Sequence, residues 1–186
     1  MLAAILMLCG TAQAQGHKSH PVDVRMEIVE LEDENNVNTR SFGIFTYMDA
    51  DSTFGYYMSL GTAETFLEIS GTFLPDIAIG SYEEACIWLG ATADEALSML
   101  DSLLALYDRD VETTVELRGR ACPPSIKLGG EVTIACTVKK KPLFGGHRLQ
   151  LLYPCDGRMG ETYLSKWNLK QLRNGLKLDK KLHKNK

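Results

Sequence analysis

The sequence predicts an α+β fold in which mostly antiparallel sheet, as one or two sheets, is covered on one face by two helices. Several segments alternate apolar and polar residues with a period of two, which is typical of strands with one buried face. Two other segments space their apolar residues three and four apart, as amphipathic helices do. A sheet with one wet face needs a cover on the other, so the helices are expected to lie there.

The first half of the chain supplies four predicted strands and then the most clearly marked helix. Its strands are expected at 22–28, 42–48, 54–60 and 85–89. Thr92 and Glu95 have the spacing of a capping box, which favours a helix start, and the apolar stripe that follows ends at Tyr107. Asp94 would lie in the first turn, where the helix dipole favours negative charge.

The second half repeats this order. Its strands are expected at 111–120, 132–138, 149–153 and around 163–164, with Arg118 and Arg120 facing outward on the first of them. A last helix follows, with Asn168 as its expected cap and an apolar stripe at Leu169, Leu172 and Leu176. The repeated order raises the hypothesis of an internal duplication of a four-strand-plus-helix unit, with half-repeats at 22–107 and 111–182.

Residues 1–14 have the pattern of a signal peptide. They carry no charge, their apolar run is far shorter than the roughly 20 residues of a membrane-spanning helix, and they end in Ala12-Gln13-Ala14. We therefore expect cleavage after Ala14 and an exported protein, periplasmic or extracellular. The mature chain would comprise a flexible N-terminus at 15–21, one domain at 22–182 and a basic tail at 183–186.

Composition and charge narrow the functional classes. Apolar residues make up 45% of the chain and charged residues 24%, values of an ordinary globular protein, and no apolar stretch after the leader is long enough to span a membrane. The last 21 residues hold eight lysines and arginines against one acid, in a chain of net charge −4. Three interpretations stay open: a solvated helix face, a contact with anionic lipid or glycan, or a contact with the protein's own acidic body. No aromatic-rich basic groove accompanies the lysines, which argues against a nucleic-acid partner.

Four cysteines follow the leader, and an even number in an exported protein favours disulfides. Cys122 and Cys155 lie beside prolines in loop-like sequence and form the expected bridge. Cys86 and Cys136 lie in apolar runs and are expected as buried thiols, and a chain without any disulfide is the alternative. No CxxC spacing is present, so redox catalysis and zinc ribbons are not expected.

No catalytic or metal-binding constellation is predicted, and no cofactor is expected. Ser59 lacks the glycine of a nucleophile elbow, since Tyr57 stands in its place, and Asp49 and Asp51 lack the glycine of a calcium loop. His147 is the one histidine away from the ends of the chain and has no marked partner. A chain starting at Gln15 would place His17 third, which suits Cu(II), but an N-terminal Gln readily cyclises and loses its amine.

Phe45, Tyr47 and Tyr57 lie on the opposite parity to the main apolar set of their strands, so that part of the sheet is predicted to carry apolar groups on both faces. If exposed, these rings would form a binding patch. The sequence thus favours an exported, non-catalytic binding or interaction module whose partner is a protein, a glycan or an anionic surface. The alternatives are a secreted hydrolase with dispersed carboxylates and an envelope-associated structural protein that docks through its basic C-terminal helix.

Overall fold

The computed structural model describes residues 22–31, 42–60, 84–122, 127–142, 145–155 and 158–184. Within these ranges, eight antiparallel strands form one curled sheet, and their spatial order is their order in the chain. The strands are β1 (Val24–Leu31), β2 (Phe42–Met48), β3 (Phe54–Ser59), β4 (Glu84–Gly90), β5 (Thr114–Cys122), β6 (Glu131–Lys140), β7 (His147–Cys155) and β8 (Arg158–Leu164). The helices are α1 (Ala93–Ala105), which ends in a 3₁₀ turn at Leu106–Asp108, and α2 (Lys166–Lys184).

Both helices pack on the same face of the sheet, here called the inner face. One continuous apolar core joins Leu100 of α1 and Leu172 of α2 to inward-facing residues of both halves of the sheet. Its fully buried members from the strands include Ile44, Met58, Ile87, Ile134, Leu149 and Leu151. The predicted α+β class, with mostly antiparallel sheet and two helices on one face, is confirmed.

The helix starts follow from local hydrogen bonds. The Thr92 hydroxyl accepts from the N–H of Glu95 at 3.2 Å, and the Glu95 carboxylate accepts from the N–H of Ala91 at 2.8 Å, so the predicted cap is confirmed. In α2 the prediction of Asn168 as cap is wrong. The Ser165 hydroxyl accepts from the N–H of Asn168 at 3.0 Å, and the helix therefore begins earlier.

The fifth strand starts and ends later than predicted. Glu112 has a φ of 69°, in the left-handed region, which breaks an extended strand before Thr114. At its other end β5 continues to Cys122, so Cys122 is a strand residue, and Cys155 is likewise the last residue of β7. The prediction that these two cysteines lie in loops is wrong.

The two helices are antiparallel and are joined by three ion pairs at seven-residue intervals. Lys166 Nζ lies 3.2 Å from Asp108 Oδ1, Arg173 Nη2 donates to Asp101 Oδ2 at 2.9 Å, and Lys180 pairs with Asp94. Of the three interpretations of the basic segment, these contacts show the one with the protein's own acidic body. We call these contacts the helix ladder.

The element order does repeat, four strands and a helix in each half. An order of elements does not by itself demonstrate common descent of the halves, so the internal duplication stays a hypothesis.

Among the described residues, neither helix combines the length and the apolar character needed to cross a membrane. The segments at 1–21 and 61–83, which include the predicted leader, lie outside the described residues.

Candidate functional site

The outer face, turned away from the helices, carries a second buried apolar group in the first half of the sheet and at the adjoining end of β5. We call it the outer cluster: Phe45, Tyr47, Tyr57, Cys86, Cys122 and Leu128, with Trp88 packed against it. Phe45, Tyr47 and Tyr57, the residues of the predicted patch, are only 0%, 2% and 5% exposed. They therefore form packed structure, and a ligand could touch them only at their edges. Their part in binding stays a prediction.

Aromatic contacts hold the outer cluster together. The rings of Phe45 and Tyr57 stack with centroids 5.6 Å apart, and Trp88 meets Tyr57 edge to face at 5.1 Å. The Arg25 guanidinium lies 3.9 Å from the centroid of Phe45 and so covers one side of the cluster. The cluster thus consists of packed rings closed at β1 by a cation.

The buried hydroxyl of Tyr47 has two hydrogen-bond partners. Tyr47 donates to Asp23 Oδ1 at 2.9 Å and accepts from the N–H of Leu128 at 3.4 Å. Burial, and then the bond to Asp23, raises the pKa of Tyr47, which keeps the hydroxyl protonated and able to donate. These bonds connect the residue before β1, strand β2 and the segment before β6 around the cluster.

A cleft of about 350 Å³ opens where the outer cluster meets the polar outer face of the second half. Its walls include Tyr57, Trp88, Arg118, Arg120 and Glu131. The volume lies at the lower end of the range for small-molecule sites. We call it the outer cleft.

Gly55 makes the position of Trp88 attainable. A Cβ at residue 55 would lie 1.8 Å from Cζ3 of Trp88, so only a glycine lets the indole lie against the backbone of β3. The ring is thereby half-buried, with part of its surface in the cleft.

Two arginines and one glutamate set the charge of the outer cleft. Arg118 forms an exposed ion pair with Glu131 on β6, and this bond raises the pKa of Arg118. Arg120 donates from Nε to the carbonyl of Gly129 at 2.9 Å. Arg120 also hydrogen-bonds Tyr57, which opposes the burial that raises the pKa of this tyrosine. The three charged groups together leave the cleft with one excess positive charge.

The other side chains weighed as catalytic or ligating groups have structural roles. Ser59 is buried and accepts from the N–H of Gly43 at 2.9 Å, and a His147 ring nitrogen meets the carbonyl of Tyr107 at 2.8 Å. Asp49 accepts from the N–H groups of Asp51 and Thr53, which closes its own turn. The Gln15-Gly16-His17 start lies outside the described residues.

The predicted Cys122–Cys155 bridge depends on a side chain, that of Cys155, which lies outside the part of the chain described. Cys122 itself is a buried thiol in the outer cluster, as is Cys86, while Cys136 is a buried thiol in the inner core. The prediction that Cys86 and Cys136 are buried is confirmed.

Sequence reasoning missed the main residues of the outer cleft. Trp88 stands in the apolar run at 85–89, which predicts a buried strand and does not single out its ring, although its parity places it opposite Ile87 and Leu89. Arg118 and Arg120 were correctly placed on the outer side of their strand, but nothing marked them as neighbours of an indole.

In the described ranges no three His, Cys, Asp or Glu side chains are grouped to hold a metal ion. A comparison of the chain with protein-family models, with curated proteins and with solved structures finds no match.

Proposed function

We propose that this protein is a non-catalytic binding module that holds a small anionic ligand with a flat apolar ring in the outer cleft. One observation carries the proposal: a half-buried indole lies beside two guanidinium groups. In the described part of the chain only one of these, Arg118, is paired with a carboxylate. The cleft therefore offers an apolar wall and positive charge side by side.

The residues indicate the ligand class. Trp88 presents the exposed part of its indole ring, and Tyr57 presents a ring edge, against which a flat apolar group can pack. A guanidinium binds a carboxylate through two parallel hydrogen bonds, so Arg120 favours a carboxylate over a neutral polar group. Because Gly129 and Tyr57 already orient Arg120, little side-chain entropy is lost on binding.

Glu131 competes with such a ligand. Its carboxylate engages Arg118, so a bound anion either uses Arg120 alone or displaces Glu131. Glu131→Gln should therefore strengthen binding of an anion up to about tenfold, which corresponds to about 1.4 kcal/mol. The affinity for a neutral ligand should be unchanged by this substitution.

A pair of matched probes tests the proposal, 2-naphthoate and its neutral analogue 2-naphthamide. We expect the indole N–H signal of Trp88 in NMR spectra to shift saturably with 2-naphthoate, with a dissociation constant of about 1 mM for a probe of this size. Trp167 on α2 is 64% exposed and far from the cleft in the fold, and its signal should stay in place. Equal shifts of both indoles, or equal responses to both probes, would contradict the proposal.

Two variants sharpen this test. Arg120→Gln should weaken the response to 2-naphthoate without changing the response to 2-naphthamide. Gly55→Ala should abolish both responses, because the new Cβ displaces the indole. Gly130→Ala is its control, since nothing lies within 4 Å of a Cβ there.

We further propose that the module works outside the cytoplasm, which the predicted leader at 1–14 supports. N-terminal sequencing of the protein from separated cell fractions tests this, with a start at Gln15 in the exported fraction as the expected result.

An enzyme would turn over its bound ligand, whereas a binding module would return it unchanged.

Docking through the basic helix needs a different test. Removing residues 166–186 would also remove Leu169, Leu172 and Leu176 from the core. Replacing Lys170, Lys177 and Lys181 by Gln leaves the helix ladder intact. Unchanged partitioning of this variant between soluble and membrane fractions is the outcome that a binding module predicts.

A further inference from the structure

Cys86 and Cys122 occupy neighbouring strands on the same face of the sheet. In the ladder between β4 and β5, Cys86 is opposite Arg120, and Cys122 is opposite Glu84. The two cysteines are therefore diagonal neighbours, both pointing into the outer cluster, and they are 0% and 1% exposed.

The two thiols lie in one buried cluster, and one of them contacts a cation. The Cys86 thiol donates to the carbonyl of Arg120 at 3.5 Å, and the neighbouring Cys122 and then burial raise the pKa of Cys86 well above its ordinary value. Arg25 Nη1 lies 3.2 Å from the sulfur of Cys122. A neighbouring guanidinium is one of the surroundings in which cysteines react with disulfides.

We propose that Cys86 and Cys122 form a disulfide across β4 and β5 as the protein folds in an oxidising compartment. Diagonal neighbours in a sheet have Cα atoms about 7 to 8 Å apart, slightly more than most disulfides span. Cys122 is the last residue of β5, and the pair Glu84–Cys122 is the last of this ladder. The strand end can therefore move inward without disturbing the rest of the sheet.

Strand order favours Cys86 over the other partners of Cys122. β6 lies between β5 and β7, so Cys155 is on a strand about 9 to 10 Å away, beyond the reach of a disulfide. Cys136 points into the inner core, on the other side of the sheet. Only Cys86 shares both the face and the neighbouring strand with Cys122 in the described part of the chain.

The reaction is a thiol–disulfide exchange with a small-molecule or protein disulfide, RSSR, as the oxidant. The thiolate of Cys122 attacks one sulfur of RSSR, which forms a mixed disulfide and releases the first RS⁻. The thiolate of Cys86 then attacks Cys122 Sγ and releases the second RS⁻. Two protein thiols are oxidised, RSSR is reduced to two RSH, and the two thiol protons end on these leaving groups.

This bond would fix the boundary between the two halves of the sheet. It joins β4 to β5, the two strands that α1 connects along the chain. Cys86 lies on β4, two residues from Trp88. The bond does not require a ligand, and its presence or absence is read separately from binding to the outer cleft.

Disulfide mapping on the full chain tests the proposal. The reduced, unfolded protein is refolded in a mixture of reduced and oxidised glutathione, alkylated with iodoacetamide and digested with trypsin. Trypsin places the four cysteines that follow the leader in four different peptides: Ser41–Arg109, Ala121–Lys127, Leu128–Lys139 and Leu149–Arg158. We expect Ser41–Arg109 joined to Ala121–Lys127, with a mass lower by two hydrogen atoms than the sum of the two peptides.

Other peptide links in the disulfide map would overturn the proposal. A link between Ala121–Lys127 and Leu149–Arg158 would show the Cys122–Cys155 bridge instead, and alkylation of both Cys86 and Cys122 would show that no bond forms. A second measurement needs no digestion: a reductant should lower the unfolding midpoint of the oxidised protein by roughly 5 to 10 °C. Cys86→Ala should be insensitive to the reductant, and Cys136→Ala should keep the full sensitivity. Equal sensitivity of these two variants would contradict the proposal.

Discussion

The two halves of the sheet bury the same kind of inner face and differ on the outer one. In the first half the outward-facing residues include Phe45 and Tyr57, which are almost fully buried. In the second half Tyr163 faces outward from β8 and is 39% exposed. There the outer face carries polar pairs, such as the hydroxyls of Thr114 and Thr137 at 2.9 Å. The first half is therefore apolar on both faces, whereas the second half is apolar only on its inner face.

This difference explains where the outer cleft lies. The helices cover the inner face of both halves, so the inner core does not distinguish them. On the outer face the apolar cluster extends through Trp88 on β4 to Cys122 at the end of β5, and the charged Arg118 and Arg120 precede Cys122 on that strand. A site that joins an apolar wall to a positive charge can form only at such a boundary.

Removing a ring from each outer face should give the largest contrast. Phe45→Ala should lower the free energy of unfolding by about 3 to 5 kcal/mol, because it leaves a cavity in the outer cluster. Tyr163→Ala should cost less than about 1 kcal/mol, since that side chain is 39% exposed and its partners Arg148 and Glu161 lie at the surface. Urea unfolding of both variants measures the difference, and equal losses would show that the outer faces are alike.

The buried thiol of the second half should make stability depend on pH. Burial raises the pKa of Cys136 from 9.0 to about 12. The unfolded chain therefore loses this proton first, and stability falls as the pH rises between about 9 and 12, by up to about 1.4 kcal/mol per unit. Cys136→Ala should have a shallower slope in urea unfolding from pH 8 to 10.5. A slope identical to that of the unchanged protein would rule out this contribution, whatever the tyrosines add.

The helix ladder should give the smallest effect. Asp101→Asn removes one partner of Arg173, an ion pair at the surface, and should cost about 0.5 kcal/mol at low salt. The loss should shrink as salt screens the pair. Asp110→Asn, at an exposed acid outside the ladder, serves as the control. A loss above about 2 kcal/mol would mean that the ladder, and not the apolar core, fixes the helices.

Periodicity was enough to predict most of the fold. The alternation around Ile44 and Ile134 and the stripe ending at Tyr107 placed strands and helices within a few residues of their positions. The misses have local causes: a left-handed Glu112 delayed β5, and Ser165 took the cap from Asn168. Neither effect changes the hydropathy pattern, so neither could be predicted from it.

The outer cleft depends on register, which a single sequence does not specify. The parity of Phe45 predicted a second apolar face, but its burial depends on contacts with segments distant in the chain, such as Arg25 and Leu128. The proximity of Cys86 to Cys122 follows only from the pairing of β4 with β5. Proline neighbours suggested loops for Cys122 and so pointed to the wrong environment.

Thiol accessibility tests the difference between the outer faces most directly. Glu116 lies on the exposed outer face of β5, in the cysteine-free tryptic peptide Asp110–Arg118, so Glu116→Cys adds a reporter for the second half. Under reducing conditions iodoacetamide should label that cysteine at the rate of a free peptide. It should label Cys86 and Cys122 at least about 100-fold more slowly, because local opening there is expected to cost about 3 kcal/mol. Labelling of all three at similar rates would contradict a buried outer cluster.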